Sequence, residues 1–127
     1  MEHSEKTCPL NKEQEKECAL FMIAIRDSLD VLSGKWKLPI ILALKFKTYR
    51  CKELVRTVGI SPKMLSKELK ELEQHQLIQR TVWDTAPVAV EYSITTYGRT
   101  LQGVIGSLAS WGIRHRKRIM VKGKLAA

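Results

Sequence analysis

Lysine and leucine side chains alternate at helical spacing in residues 61–72. At about 100° per residue, three lysines share one face of a helix and three leucines share the opposite face. These are Lys63, Lys67 and Lys70 on one side, and Leu65, Leu69 and Leu72 on the other. Lysines neutralise phosphates, and hydroxyls and helix N-terminal N–H groups donate hydrogen bonds to phosphate oxygens. The face therefore predicts a polyanion-binding helix, with an ordinary solvated helix surface as the alternative.

The residues just before this helix favour a tight turn and a capped start. Gly59 can take the left-handed backbone of a turn, Ser61 is a good N-cap, and Pro62 suits the first helical position. Ile60 and Leu65 have the spacing of a hydrophobic staple. The pattern predicts a helix from Pro62 to about residue 75.

The other chemically reactive side chains form no recognisable catalytic or metal site. His3, His75 and His115 are scattered, and no Gly-rich phosphate loop is present. We therefore expect no enzyme activity, no bound metal and no cofactor.

The three cysteines fit neither a disulfide framework nor a zinc site. Cys8 lies near a predicted helix N-terminus and between Lys6 and Lys12, features that lower the pKa of a thiol, although Glu5 and Glu13 oppose them. Cys8 is the candidate thiol sensor. Cys18 and Cys51 are expected to be packed or inert.

The elements that position the lysine face can be predicted from capping and periodicity. Asn11 followed by Gln14 predicts a capping box and a first helix over residues 12–32, whose middle is apolar nearly all round, Phe21 and Ile25 included. Such a helix favours burial against a second subunit. Short helices over residues 36–46 and 49–58 follow, and the turn at Gly59 then predicts a helix-turn-helix unit.

A change to β-type patterning follows the lysine-bearing helix. Residues 78–83 and 88–94 are rich in β-branched and aromatic side chains and predict a β-hairpin, with Arg80 near its start and Asp84 at a tip that lacks basic residues. Thr95 or Thr96 then caps a last helix. Its apolar stripe is a candidate subunit interface, made of Leu101, Val104, Ile105, Leu108 and Trp111.

The length and the charge of the chain limit its number of domains and its possible partners. The 127 residues suffice for one compact domain, and a formal charge of +9 favours an anionic partner. Residues 35–80 carry 11 basic and 4 acidic side chains, and residues 113–127 carry 6 basic and no acidic ones. No apolar run approaches a membrane span and no secretory signal is recognisable, so we expect a cytoplasmic protein with no membrane partner.

Five segments, taken in order, resemble the HxlR family of bacterial transcriptional regulators, in the MarR-like superfamily. They are LSGKWK at 32–37, GISPKML at 59–65, LKELE at 69–73, VEYSIT at 90–95 and GRTL at 98–101. The resemblance implies an α+β, mainly α, winged helix-turn-helix protein that binds double-stranded DNA as a homodimer through its terminal helices. On that basis we expect an N-terminal extension in residues 1–18, the domain in residues 19–112 and a basic, loosely ordered tail in residues 113–127.

The resemblance also implies roles for individual side chains. The helix that begins near Ser61 is expected to enter the major groove, with the hairpin over the adjacent backbone. The candidate DNA-contacting residues are Ser61, Pro62, Lys63, Met64, Ser66, Lys67, Lys70 and Arg80. Two other hypotheses remain open: a cysteine-based regulator that responds to an oxidant or a small-molecule electrophile, and a winged-helix adaptor that binds protein or RNA.

Overall fold

The computed structural model describes residues 10–126, with side chains described as far as residue 123. The chain divides into two compact units, one ending at Ser33 and the other beginning at Gly34. Among the described residues, the first unit contains one helix, α1 (Lys12–Leu32), as predicted. The predicted capping box is confirmed, because Gln14 N–H donates to Asn11 Oδ1 at 2.8 Å and Asn11 N–H donates to Gln14 Oε1 at 3.0 Å.

The second unit begins with a compact group of helices. These are α2 (Lys37–Phe46), α3 (Cys51–Leu54), a π-helical turn (Val55–Gly59) and α4 (Pro62–Gln74). The predicted helix over residues 49–58 is wrong in two respects. The helix begins at Cys51, and its second half is a π-helical turn. Tyr49 cannot begin a helix because its backbone N–H and C=O pair with those of Tyr92, at N···O distances of 3.0 and 2.8 Å.

The β-hairpin consists of β1 (Ile78–Trp83) and β2 (Ala89–Ile94), which pair antiparallel. Ile78 lies opposite Ile94 at the base, and Trp83 lies opposite Ala89 at the far end. The predicted second strand began one residue too early. The hairpin is otherwise as expected from its β-branched and aromatic content.

The last element is α5 (Gln102–Ala126), which follows a single 3-10 turn (Gly98–Leu101). The predicted cap at Thr95 or Thr96 is displaced: the N-cap of the 3-10 turn is Tyr97, and Thr95 supports that turn through its hydroxyl, which donates to Gln76 O at 2.7 Å and accepts from Gly98 N–H at 2.9 Å. The sequence predicted a loose basic tail from residue 113, but the structure continues α5 through that segment. Basic side chains are good helix formers, which is the local reason that the helix does not end earlier.

The hydrophobic core lies within the second unit, where the leucine face of α4 packs. Each core side chain removes apolar surface from water, and this removal is the main stabilising contribution to the unit. The most deeply buried side chains come from α2, α3, α4 and the start of β1, namely Ile40, Ile41, Leu44, Leu54, Leu65, Leu69, Leu72 and Ile78.

Candidate nucleic-acid interface

The turn before α4 is built as the sequence predicted. Gly59 has φ of +78°, a left-handed conformation that a side-chain-bearing residue adopts only with strain. Ser61 is the N-cap of α4, and its Oγ accepts a hydrogen bond from Met64 N–H at 3.2 Å. Ile60 and Leu65, the predicted staple pair, are both buried. The start of α4 is therefore held by its backbone, its cap and its apolar anchor together.

The two predicted faces of α4 are both present. Leu65, Leu69 and Leu72 are buried, with at most 2% of their surface exposed. The predicted contact residues on and before this helix are all exposed; they are Ser61, Pro62, Lys63, Met64, Ser66, Lys67 and Lys70. Within the part of the chain that the structure describes, none of the three lysines forms a salt bridge with a carboxylate. Their ammonium groups are available to a ligand in solution.

Two of the glutamates on α4 form salt bridges with a cation from α2. Lys37 Nζ lies 2.6 Å from Glu68 Oε1 and 2.6 Å from Glu71 Oε1. Both carboxylates hydrogen-bond to Lys37, and the Lys67 charge also helps to lower the pKa of Glu71, so Glu71 stays within electrostatic reach of the lysine face.

The ion pairs change the pKa values of Lys37 and Glu71. Burial on its own lowers the pKa of Lys37, but hydrogen bonds to Glu68 and Glu71 outweigh burial and leave the pKa raised above 10.5. The hydrogen bond from Lys37 lowers the pKa of Glu71 below 4.5. Lys37 and Glu71 are therefore both charged at neutral pH.

A groove between α3 and α4 contains basic side chains that the sequence analysis did not assign to the site. It has a volume of about 460 Å³ and is lined by Cys51, Lys52, Val55, Arg56, Pro62, Leu65 and Ser66. Lys52 and Arg56 are exposed and share this groove with the predicted contact residues Pro62 and Ser66. Their spacing of four residues, just before the turn, was the available sequence signal.

Arg80 lies on β1, on a different element from the other predicted contact residues. It is exposed, and its cross-strand partner is Tyr92. Burial raises the pKa of the Tyr92 hydroxyl, and a hydrogen bond from Arg80 offsets part of that rise. In the described chain, Arg80 forms no salt bridge with a glutamate.

The far end of the hairpin is apolar and acidic. Trp83 is 51% exposed, and its Nε1–H donates to Glu91 Oε1 at 2.7 Å. No basic residue occurs between Arg80 and Ile94. The hairpin tip therefore offers no basic side chain to a phosphate.

The residues predicted for a subunit interface lie on two helices and are mostly exposed. On α1, which the structure describes in full, no residue is buried, and Phe21 and Ile25 are more than half exposed. On α5, Val104, Leu108 and Trp111 are exposed and Ile105 is half-buried, as is Leu101 at the end of the preceding 3-10 turn. The Trp111 ring also stacks on His115, with 4.8 Å between the ring centroids.

The exposure of the described cysteines differs from the expectation drawn from the sequence. Cys8, the predicted thiol sensor, lies outside the described residues. Cys18 and Cys51 are free and exposed, so the expectation that they are packed is wrong. Cys18 is exposed because α1 buries none of its residues, and Cys51 because it begins α3 at the open groove.

Comparison with known proteins identifies this arrangement. A family model described as HxlR-like helix-turn-helix matches residues 31–120. The chain belongs to this family. It is 38% identical over 100 residues to YtcD of Bacillus subtilis strain 168, an uncharacterised HTH-type transcriptional regulator, covering 78% of this chain and 79% of YtcD.

Solved structures of similar proteins agree with the family assignment. The redox regulator HypR in its reduced form matches with a TM-score of 0.72 at 32% identity, over 77% of this chain and 98% of HypR. The reduced form of the transcriptional regulator YodB from B. subtilis matches with a TM-score of 0.63 at 36% identity, over 69% of this chain and 87% of YodB. The chain is thus an HTH-type transcriptional regulator with a winged helix-turn-helix fold, in a family of regulators and not of enzymes.

Two further observations concern membranes and metals. No helix in the described part of the chain is long and apolar enough to cross a membrane. Among residues 10–126, no group of His, Cys, Asp and Glu side chains has the arrangement of a metal site.

Proposed function

We propose that this protein is a sequence-specific DNA-binding transcriptional regulator that acts as a homodimer. The observation that carries the proposal is the exposed lysine face of α4, which follows a capped turn and whose lysines form no salt bridge with a carboxylate in the described chain. An α-helix fits the major groove of B-DNA, and a face without bridging carboxylates can neutralise phosphates.

The proposed contacts divide into positioning and reading roles. Lys70, Ser61 and Ser66 contact phosphates, together with Lys52 and Arg56 from the neighbouring α3 segment. Lys63 and Lys67 serve in both roles: they neutralise phosphates and, with Met64, are the base-reading candidates, because lysine reaches guanine acceptors and methionine contacts a thymine methyl. Arg80 places the hairpin against adjacent backbone.

The dimeric form of the proposal rests on exposed apolar surface. Leu108 and Trp111 on α5, and Phe21 and Ile25 on α1, are each more than half exposed. Large apolar side chains clustered on one helix are uncommon on the surface of a monomer. Two copies would present two α4 helices to successive major grooves, roughly 34 Å apart on a near-palindromic site.

The test begins with a selection of bound duplexes from a random pool, followed by binding of the selected operator at several salt concentrations. Lys63→Ala/Lys67→Ala is expected to weaken binding to all sequences and to lower the salt slope by about 2, one unit for each lost phosphate contact. The matched control is Lys12→Ala/Lys16→Ala, which removes the same charge from α1. We expect the control to keep its operator affinity.

Two outcomes would contradict the proposal. A folded Lys63→Ala/Lys67→Ala variant with unchanged operator affinity would remove α4 as the DNA-contacting helix. A selection that returns no enriched motif would favour the adaptor function, in which the basic face binds protein or RNA.

A second candidate function, redox control of DNA binding, is favoured by the similarity to HypR and YodB. HypR is a redox regulator, and the structure of YodB has also been solved after diamide treatment. We propose that oxidation of Cys8 changes the dimer and releases DNA. Cys8→Ser is expected to keep operator binding in diamide, whereas Cys18→Ser and Cys51→Ser are expected to lose it as the unsubstituted protein does. A Cys8→Ser protein that still releases DNA rules Cys8 out.

A further inference from the structure

Lys37 is the one buried lysine of the described chain. It is 4% exposed, and it is the first residue of α2, whereas both of its partners are on α4. Glu68 is 6% exposed, and the Glu71 side chain is 38% exposed. The three charges therefore connect two helices at the edge of the core, and one of them extends to solvent.

Joining two helices through buried charges costs free energy of desolvation. Removing an ammonium and a carboxylate from water carries a penalty of several kcal/mol for each ion, and well-packed apolar side chains often give equal or better stability. What the ionic contacts add is directionality. Leucine side chains tolerate small shifts between packed helices, whereas hydrogen bonds of 2.6 Å to named oxygens do not.

The spacing of the two glutamates on α4 determines which movements of this helix the bridge restricts. Glu68 and Glu71 are three residues apart on α4, so they lie on one side of the helix in successive turns. A single cation bonded to both resists rotation of α4 about its own axis and sliding along it. Lys67 adjoins Glu68 in sequence, so a rotation that breaks the bridge also turns the lysine face.

We propose that Lys37 is a positioning residue for operator recognition: its bridges to Glu68 and Glu71 set the rotation of α4 and hence the angle at which Lys63 and Lys67 meet the major groove. This role rests on the proposed DNA-binding function of α4. Lys37 itself is buried beneath the helix and touches no DNA.

The variant that tests the role separates orientation from stability. Lys37→Met/Glu68→Met replaces the buried ion pair with apolar side chains of suitable length, and it is expected to fold. We expect its affinity for the selected operator to fall about tenfold relative to its affinity for random duplex, the discrimination that one base contact carries. The control Ile40→Val removes one methylene from the core of the same helix and should leave this ratio unchanged. An operator-to-random ratio equal to that of the unsubstituted protein would overturn the proposal.

A second measurement does not depend on DNA. Residual dipolar couplings of backbone amides in α2 and α4 report the orientation of one helix relative to the other. We expect a changed or averaged α4 orientation in Lys37→Met/Glu68→Met and the original orientation in Ile40→Val. If the unsubstituted protein selected no operator, the proposed DNA-binding function would fail. The couplings would still show whether Lys37 sets the orientation of α4. An unchanged α4 orientation in the apolar variant would refute that role.

Discussion

At the scale of single residues, Glu71 links the pH of the solution to the packing of α4. Its pKa is lowered by the hydrogen bond from Lys37, so the ionised form is favoured in the folded state. A lowered carboxyl pKa adds stability above the unfolded-state value and loses it as the pH falls through the folded-state value. The raised pKa of Lys37 adds stability below 10.5 that is lost only at higher pH. The bridge is therefore fully present at neutral pH.

The lowered pKa of Glu71 leads to a prediction for unfolding in acid. As the pH falls from neutral to below 4.5, the unsubstituted protein should lose more unfolding free energy than Glu71→Gln, which has no carboxylate to protonate. Glu73→Gln removes an exposed carboxylate from the same helix and should follow the unsubstituted protein. Urea denaturation at a series of pH values measures all three, and parallel curves for Glu71→Gln and the unsubstituted protein would show that the bridge adds no pH-dependent stability.

Gly98 is a second position where a single residue affects the packing of two elements, because it has no Cβ. A Cβ there would meet the carbonyl oxygen of Leu77 and lie 2.8 Å from Cγ1 of Ile94. Gly98→Ala is expected to lower the free energy of unfolding by about 1–3 kcal/mol, as overpacking commonly does. Gly106→Ala is the control, because among the described residues no atom beyond the neighbouring backbone of its own helix lies within 4 Å of that Cβ, and it should raise helix stability by about 1 kcal/mol. Thermal unfolding of both variants measures the difference, and equal midpoints would contradict the clash.

At the scale of elements, features set by neighbouring residues could be predicted and features set by distant ones could not. The capping box of Asn11, the cap at Ser61 and the hairpin strands depend on spacings of a few residues, and the structure confirms them. The extended backbone at Tyr49 depends on pairing with Tyr92, far away in the chain. The pairing of Lys37 with α4 has the same cause, since a sequence does not show which cation a glutamate will meet.

The cap of α4 provides a prediction at this scale. Ser61→Ala removes the acceptor for Met64 N–H and should lower the free energy of unfolding by about 1 kcal/mol. Operator affinity should also fall, because the first turn of the proposed recognition helix frays. Ser110→Ala, within α5, removes a hydroxyl without removing a cap and should cost nothing. Chemical denaturation with operator titration measures both effects, and an unaltered Ser61→Ala protein would show that Pro62 and the staple hold the helix start without the cap.

At the scale of the whole molecule, the distribution of surface matters more than any single contact. The basic side chains of residues 35–80 favour binding to a polyanion in general, whereas the exposed apolar stripe on α5 favours association with another chain. The sequence indicated that stripe by its helical spacing. It could not indicate how much would stay exposed, because that depends on which surfaces the rest of the fold covers.

The proposed dimer leads to a prediction that separates assembly from DNA contact. Leu108 is 52% exposed on the apolar stripe of α5, so Leu108→Glu should leave the fold intact while placing a charge in the interface. Sedimentation should show a monomer, and affinity for a duplex with two half-sites should fall to that for one half-site, because the second contact is no longer linked to the first. Ser110→Glu adds the same charge on the opposite side of α5 and should remain dimeric with full operator affinity. A dimeric Leu108→Glu protein would exclude the α5 stripe from the interface, and a monomer with full operator affinity would show that one copy suffices for recognition.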